Sequence, residues 1–293
     1  MDLEQIEKIK RLTLIAMFSD DDLMDMLVLK GGNALDIIYK LANRASADLD
    51  FSIVNEFKQD ELKIIEEKIR KVITKTFRTG GYEVFDIRFV QKPERISPEV
   101  TDFWGGYQID FKIVETERFS QLSSNIESLR RQSTVVGKGQ KRKIKIDISK
   151  FEYCNGKQEK EIDGYTIYVY TPEMIVIEKL RAICQQMPEY LKMVKASHGS
   201  GRARDFFDIY VVMEACKIDL NKPENRELLR NIFEAKKVPL RFIVKIKEER
   251  EFHRQSFGAV KNTVISSFQL KDFDYYFDYV LTKCSTLESL WIK

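Results

Sequence analysis

The first half of the chain alternates short apolar runs with amphipathic stretches. Residues 26–30 (MLVLK) are typical of a short buried strand, and a helical pattern follows from Asn33. Residues 48–54 (DLDFSIV) again have the pattern of a strand. Residues 59–79 then carry apolar side chains at the three- and four-residue spacing of an amphipathic helix. This order predicts strand, helix, strand and helix in turn.

The pattern changes near residue 170. Before it we predict three strands, at residues 82–91, 106–115 and 142–149. We also predict a helix at residues 117–132 and a hairpin-like segment at residues 164–170. Thr171 and Pro172 are suited to begin a helix, and the pattern stays helical almost to the end of the chain. The sequence therefore predicts an α/β (α+β) fold: a mixed β-sheet with flanking helices in residues 1–170, followed by an all-helical C-terminal domain in residues 171–293.

Composition narrows the class of protein. The chain has 293 residues, 43% of them hydrophobic and 32% charged, which suits a folded, soluble protein. No apolar run approaches the roughly 20 residues of a bilayer-spanning helix, and the N-terminus does not have the pattern of a signal peptide. The four cysteines form no CxxC pair and there are only two histidines, which argues against a zinc site. We expect a cytoplasmic protein with reduced thiols and no membrane partner.

Carboxylates on the predicted strands are the first candidates for chemistry. Asp48 and Asp50 lie two residues apart in a strand and therefore point to the same face. Asp147 lies in another alternating strand, and if the two strands are neighbours the three carboxylates converge. Such a cluster is tolerable when a divalent cation neutralises it, and oxygen ligands favour Mg²⁺ or Mn²⁺. Asp110, in an equally strand-like setting, is the competitor of Asp147 for the third position.

Two glycines before the first helix add a second signal. Gly31 and Gly32 would let the backbone approach a phosphate at the start of the helix that follows. By itself the pair is equally consistent with a tight turn, and an isolated Asp-x-Asp is common. The glycines followed by Asp48 and Asp50 together favour metal-assisted phosphoryl chemistry.

These residues also resemble a known family. The stretch "GGNAL…RASADLDF" resembles the opening signature of the nucleotidyltransferase toxins of the AbiEii/AbiGii type, which form one half of bacterial toxin–antitoxin and abortive-infection systems. "IEKLRA" and "RARDFFDI" resemble two later motifs, and the resemblance covers about residues 27–212. There are departures. The family usually has Thr or Ser at the position of Asn33, and Lys at the position of Arg204.

The resemblance implies a nucleotidyltransferase fold and specific roles. The residues predicted for metal binding and catalysis are Asp48, Asp50, Asp147, Lys179 and Asp208; Asp147 is predicted from its strand pattern and not from a family motif. Those implied in nucleotide binding are Lys30, Gly31, Gly32, Asn33, Ser46, Arg202, Arg204 and Asp205. Asp208 would orient Lys179 or an arginine, and Asp147 would also activate the acceptor hydroxyl. On the residues alone, Lys179 could equally extend along apolar surface to solvent, and the aspartates could be helix-surface charges. Ser46 is a candidate site of self-modification.

Positive charge is concentrated directly before Asp147. We call residues 138–145 the basic segment; its charged side chains are Lys138, Lys141, Arg142, Lys143 and Lys145. In a chain with a net charge of only +3, this local concentration is a candidate RNA-binding element. The alternative is an ordinary solvated loop.

The function predicted from these signals is that of a Mg²⁺-dependent nucleotidyltransferase toxin. By resemblance it would add nucleotides from NTP to RNA, in particular the 3′ end of tRNA, and so block translation. A cognate antitoxin protein would be its partner. The alternatives are a small-molecule nucleotidyltransferase, a metal nuclease that uses Asp110 and Lys112, and a non-catalytic binding module.

Overall fold

The computed structural model describes residues 3–41, 48–196, 198–265 and 268–291. The part before the last strand contains the helices α1 Leu3–Phe18, α2 Asp21–Met26, α3 Gly31–Asn33, α4 Leu62–Thr79, α5 Thr116–Leu122 and α6 Ile126–Gln132. Helix α3 continues as a π-helical turn, Ala34–Ile38. The strands are β1 Val28–Lys30, β2 Leu49–Ser52, β3 Tyr82–Lys92, β4 Gly106–Glu115, β5 Ile144–Ser149, β6 Gln158–Ile162 and β7 Tyr165–Val169.

The part after β7 is helical. Its helices are α7 Pro172–Cys184, α8 Pro188–Met193, α9 Ala203–Cys216, α10 Pro223–Glu234, α11 Phe242–Lys245, α12 Arg250–Arg254, α13 Gly258–Lys261 and α14 Phe273–Ser285. Thr171 caps α7, because its hydroxyl accepts a hydrogen bond from the Met174 N–H, and Pro172 occupies the first turn. Within this part α9 packs against α7 and α14.

The seven strands form one mixed sheet in the order β3-β4-β5-β2-β1-β7-β6. The pairs β2–β5 and β1–β7 are parallel, and the other neighbours are antiparallel. The predicted fold class, a mixed sheet with flanking helices followed by a helical part, is confirmed.

The central strands have one apolar and one polar face. Leu49 and Phe51 on β2 and the isoleucines of β5 are buried, and helices α1 and α4 pack against this side through contacts such as Phe18–Phe51. Because side chains alternate along a strand, Asp50 and Asp147 lie on the opposite face. The hydrophobic pattern of the strands thus determines which side of the sheet can carry chemistry.

One predicted element was wrong in its extent. The single helix expected at residues 117–132 is two helices, α5 and α6. Asn125 begins the second, because its side chain accepts a hydrogen bond from the Ser128 N–H. A capping residue inside an amphipathic pattern starts a new helix there.

Among the described residues, most of the buried apolar side chains belong to one cluster that runs through both the sheet-containing and the helical parts. The boundary of the two predicted domains, residues 1–170 and 171–293, coincides with the change from strands to helices, and their independence stays a prediction. No helix in the described ranges combines the length and the hydropathy that crossing a bilayer requires.

Candidate active site

Three aspartates meet where β2 lies beside β5. In the parallel pairing of these strands Asp50 lies directly opposite Asp147, and Asp48 immediately precedes β2. All three line the same cavity. Asp110 lies on β4, opposite Lys145 of β5, and does not line that cavity. The strand order therefore places Asp147, and not Asp110, beside Asp50.

The cavity lies between the polar face of the sheet and the helical part. Its volume is about 860 Å³, within the range of small-molecule sites. Besides the aspartates, its lining from the sheet-containing part includes Lys30, Gly31, Gly32, Trp104 and Tyr107, and its lining from the helical part includes Lys179, Arg181, Gln185, Arg202, Arg204, Asp205 and Lys236. The two parts of the chain thus build this cavity together.

Gly31 determines how closely the backbone approaches the aspartates. Its φ of +70° lies in the left-handed region that favours glycine. A Cβ at this position would lie 2.9 Å from Oδ2 of Asp50, closer than real Cβ contacts. Any other residue would be strained and would also press on the Asp50 carboxylate.

The electrostatics around Asp50 favour a cation. Burial raises the pKa of Asp50 to about 6; the Lys30 ammonium opposes this rise and the Asp147 carboxylate adds to it. An all-carboxylate donor set suits a hard divalent cation such as Mg²⁺ or Mn²⁺. Among the described residues, however, no three Asp, Glu, His or Cys side chains are already arranged as a ligand cluster. The chemical types of the donors fit a divalent cation.

Two lysines of the basic segment contact aspartates of the candidate site. Lys141 Nζ donates to Asp48 Oδ1 at 2.6 Å, and Lys145 Nζ donates to Asp147 Oδ2 at 2.5 Å. Lys143 pairs with Asp110 at 3.5 Å. Arg142 donates to the Ser133 carbonyl, and only the backbone of Lys138 is described. The basic segment therefore borders the active-site cavity, and three of its lysines are ion-paired.

Lys179 is held by two aspartates of α9. Its ammonium lies 2.9 Å from Asp205 Oδ1 and 2.7 Å from Asp208 Oδ2, and its side chain is almost fully buried. Asp208 does not line the cavity, so its position suits a residue that orients Lys179. Arg202 lies 3.6 Å from Asp205 and, like the exposed Arg204, lines the cavity.

Two residues that were predicted to bind the nucleotide, Asn33 and Lys30, have side chains that contact protein groups. Asn33 is fully buried, does not line the cavity, and donates from Nδ2 to the Asp48 carbonyl at 2.6 Å. Lys30 lines the cavity, but its ammonium contacts Ser149, Glu152 and Glu178 at 3.2, 3.3 and 3.5 Å. These two side chains therefore contact protein groups around the site. Ser46, another of the predicted nucleotide-binding residues, lies outside the described residues.

A group of buried charges in the cavity wall was not recognised in the sequence, apart from Lys30. We call Lys30, Glu152, Glu178, Arg181 and Lys236 the buried ion cluster. Arg181 donates to Glu152 at 2.7 and 3.2 Å and to Glu178 at 3.2 Å, and Lys236 lies 3.6 Å from Glu152. Burial alone would raise the pKa of Glu152, but Arg181, Lys236 and Lys30 hold it well below its usual range.

The buried ion cluster joins the two parts of the chain. Lys30 immediately precedes Gly31, Glu152 follows β5, and Arg181 lies on α7 two residues after Lys179. Glu178 and Arg181 belong to the "IEKLRA" motif, so the sequence contained a signal that could have identified these two residues. Glu152 and Lys236 have no local pattern that distinguishes them from surface charges.

The start of α9 is held by α12 and by the turn that follows it. Nδ1 of the fully buried His253 accepts a hydrogen bond from the Arg202 N–H at 3.1 Å, and Ser256 Oγ accepts one from the Ala203 N–H at 3.0 Å. Burial lowers the pKa of His253 to about 4; Arg202 contributes to this and Asp205 opposes it. A neutral His253 can therefore accept this bond and support the helix that carries Asp205.

The model of the family described as "Nucleotidyl transferase AbiEii toxin, Type IV TA system" matches residues 13–279. A crystal structure from H. pylori, described as a nucleotidyltransferase, shares 15% identity with a TM-score of 0.47, covering 99% of this chain and 96% of the other. A nucleotidyltransferase-like antigenic protein from Paracoccidioides brasiliensis shares 14% identity with a TM-score of 0.40, covering 81% and 94%. No curated protein matches the chain.

The family match extends over most of the chain and includes the glycine turn, the aspartate strands, Lys179 and the motif of α9. The resemblance noted in the sequence is thereby confirmed. The chain belongs to the AbiEii nucleotidyl transferase toxin family of type IV toxin–antitoxin systems, and it is a nucleotidyltransferase.

Proposed function

We propose that this nucleotidyltransferase transfers a nucleotide from NTP to a hydroxyl group of RNA, with the 3′ end of tRNA as the acceptor. The observation that carries the proposal is the arrangement around one cavity: Gly31 lies against Asp50, Asp147 lies beside Asp50, and Lys179 lines the same cavity. This arrangement offers room for a phosphate, carboxylates for a cation and a fixed positive charge.

Asp48, Asp50 and Asp147 are the residues that would hold a divalent cation, Mg²⁺ or Mn²⁺. When bound there, the cation would neutralise charge on the phosphates and polarise the α-phosphate. The raised pKa of Asp50 supports this assignment. Its main cause is burial, and the Asp147 carboxylate adds to it, so a cation beside Asp50 would stabilise the charged carboxylate that burial disfavours.

The protein groups around the cavity supply binding and orientation. Gly31 and Gly32 line the cavity next to Asp50 and would lie against the β- and γ-phosphates. Lys179, fixed by Asp205 and Asp208, would balance charge on the triphosphate, and Arg202 and Arg204 would extend the positive wall of the cavity.

Asp147 is suited to take the proton of the attacking hydroxyl. The hydroxyl oxygen forms a bond to the α-phosphorus while the bond from that phosphorus to the bridging oxygen breaks. Pyrophosphate leaves with the electron pair of the broken bond, and the nucleotide stays on the acceptor. A carboxylate beside the α-phosphate position is within the reach that general-base catalysis requires.

An RNA acceptor is supported by the basic segment at the edge of the cavity. Lys141 and Lys145 of this segment contact Asp48 and Asp147, where an RNA backbone would have to pass. Extension of the 3′ end of tRNA would prevent aminoacylation and so block translation in the cytoplasm. A cognate antitoxin, implied by the family, would restrain this activity.

The test is incubation of the purified protein with Mg²⁺, each labelled NTP in turn, and total tRNA. We expect label on RNA with the wild type and a loss of about a hundredfold or more with Asp50→Asn, because one ligand of the cation is weakened. The matched control is Asp36→Asn, an aspartate of the π-helical turn that does not line the cavity.

The alternatives give different outcomes in the same assay. Label on a metabolite extract but not on RNA would indicate a small-molecule nucleotidyltransferase. NTP binding by calorimetry that neither requires a metal nor leads to turnover would indicate a binding module.

A further inference from the structure

We infer that Lys141 and Lys145 are built-in counter-ions of the metal site, which a divalent cation must displace before the site can work. The inference rests on the proposed function only in placing a divalent cation at Asp48, Asp50 and Asp147. It assigns to these two lysines a role that differs from simple RNA attraction.

The contacts themselves carry the argument. Of the three aspartates, two have an oxygen engaged by a lysine ammonium, at 2.6 Å for Asp48 and 2.5 Å for Asp147. An ammonium and a divalent cation seek the same carboxylate oxygens, so both cannot occupy them in full. Metal binding and these ion pairs are therefore in competition.

The lysines are able to leave. Their side chains are about one third exposed, at 36% for Lys141 and 34% for Lys145, so the ammonium groups can move into solvent at little desolvation cost. Exposed pairs of this kind are weak enough for a divalent cation to displace them. Gly139, with φ +65° and open space around it, lies two residues before Lys141.

Displacement would have a consequence for the acceptor. Once released, the two ammonium groups would stand beside the loaded site with no carboxylate partner, where they could bind phosphates of an incoming RNA backbone. Without a cation the two lysines would stay paired with the aspartates, and with a cation bound they would be able to bind RNA.

Lys143 offers a matched control within the same segment. It carries the same charge, but it pairs with Asp110, which does not line the cavity. A general effect of removing positive charge would appear in Lys143→Met as well as in the other two variants. A competition for the metal ligands would appear only in Lys141→Met and Lys145→Met.

The first experiment measures Mn²⁺ affinity by electron paramagnetic resonance without nucleotide. We expect the Lys141→Met/Lys145→Met double variant to bind Mn²⁺ between about twofold and thirtyfold more tightly than wild type, from the usual strength of two exposed ion pairs. Lys143→Met should match wild type. Equal affinity in all variants, the absence of Mn²⁺ binding in all of them, or an equal gain in Lys143→Met would overturn the inference.

The second experiment measures lysine reactivity on the unaltered protein. Brief acylation with an amine reagent, followed by peptide mass spectrometry, should show faster labelling of Lys141 and Lys145 when Mg²⁺ is added, with Lys143 unchanged. No change at the two lysines would contradict the inference. A wild type that transfers nucleotide yet shows neither effect would refute the counter-ion role and leave the proposed function intact.

Discussion

Glu152 provides a strong test of how the site is held together. Its side chain is 2% exposed and contacts three cations from three separate parts of the chain, Lys30, Arg181 and Lys236. The substitution Glu152→Gln keeps the size of the side chain and removes its charge. Three buried cations would then be left with fewer anions to compensate them.

The expected loss of stability is large. Breaking a buried ion pair by neutralising one partner typically costs about 3–5 kcal/mol, because the remaining charge is left buried without its counter-ion. A folded domain has only about 5–15 kcal/mol to lose. Burial also lowers the pKa of Lys236 to about 8 despite the opposing effect of Glu152, so this ammonium is the cation closest to losing its charge.

A double-mutant cycle measures how much of this loss of stability comes from the interaction between Glu152 and Lys236. Lys236→Met should cost about 1–2 kcal/mol, since the hydrogen bond from Lys236 to the Lys150 carbonyl is lost. In Glu152→Gln/Lys236→Met the excess of positive charge is relieved. The double variant should therefore lose less than the sum of the single variants, by about 1–2 kcal/mol.

The assay is urea unfolding followed by circular dichroism for wild type, the two single variants and the double variant. Glu61→Gln is the control, because Glu61 forms an exposed pair with Lys58 and its loss should leave the unfolding midpoint unchanged. A loss below about 1 kcal/mol for Glu152→Gln, or strict additivity in the double variant, would refute the reasoning.

Three further predictions concern the site and its support. Asp147→Asn should lower nucleotide transfer about a hundredfold or more while Asp110→Asn, outside the cavity, changes it little; equal losses would contradict the assignment of the third carboxylate. Gly31→Ala should lower the free energy of unfolding by about 1–2 kcal/mol and nucleotide transfer about a hundredfold, because the new Cβ displaces Asp50. The control Gly164→Ala is also at positive φ but has open space around its Cβ, so it should cost similar stability and keep activity. The folded-state pKa of His253, about 4, is below its ordinary value of 6.5, so protonation favours the unfolded chain. The free energy of unfolding should therefore fall by roughly 3 kcal/mol as the pH drops from about 6.5 to about 4. Urea unfolding across that pH range should show a weaker dependence on pH in His253→Gln than in wild type.

The local patterns of the sequence were sufficient for the fold class and for the orientation of the central carboxylates. Alternation in a strand is a property of neighbouring residues, so buried Leu49 and Phe51 determine the face on which Asp50 lies. The positive φ of Gly31 is likewise consistent with a glycine chosen for a close approach to Asp50. These features needed no knowledge of distant contacts.

Other features depend on which parts of the chain become neighbours. Asp110 and Asp147 have equally strand-like surroundings, and only the strand order β4-β5-β2 separates them. Asn33 was expected at a phosphate and is instead buried beneath the Asp48 carbonyl, because α3 packs against β2. The basic segment was a candidate RNA-binding element, and three of its lysines, Lys141, Lys143 and Lys145, contact aspartates that lie on or beside separate strands.

The sequence by itself determined the alternation of strands and helices, the polar face of the central sheet and the glycine turn, since each follows from residues close together in the chain. Only the tertiary structure decided that Asp147 is the neighbour of Asp50, that lysines pair with the site carboxylates, and that Glu152 joins Lys30 to Arg181 and Lys236. The physical reason is that a charged residue has no periodic pattern that marks its partner. A charge buried against a distant opposite charge therefore has the same local sequence as one exposed to water, until folding brings the two together.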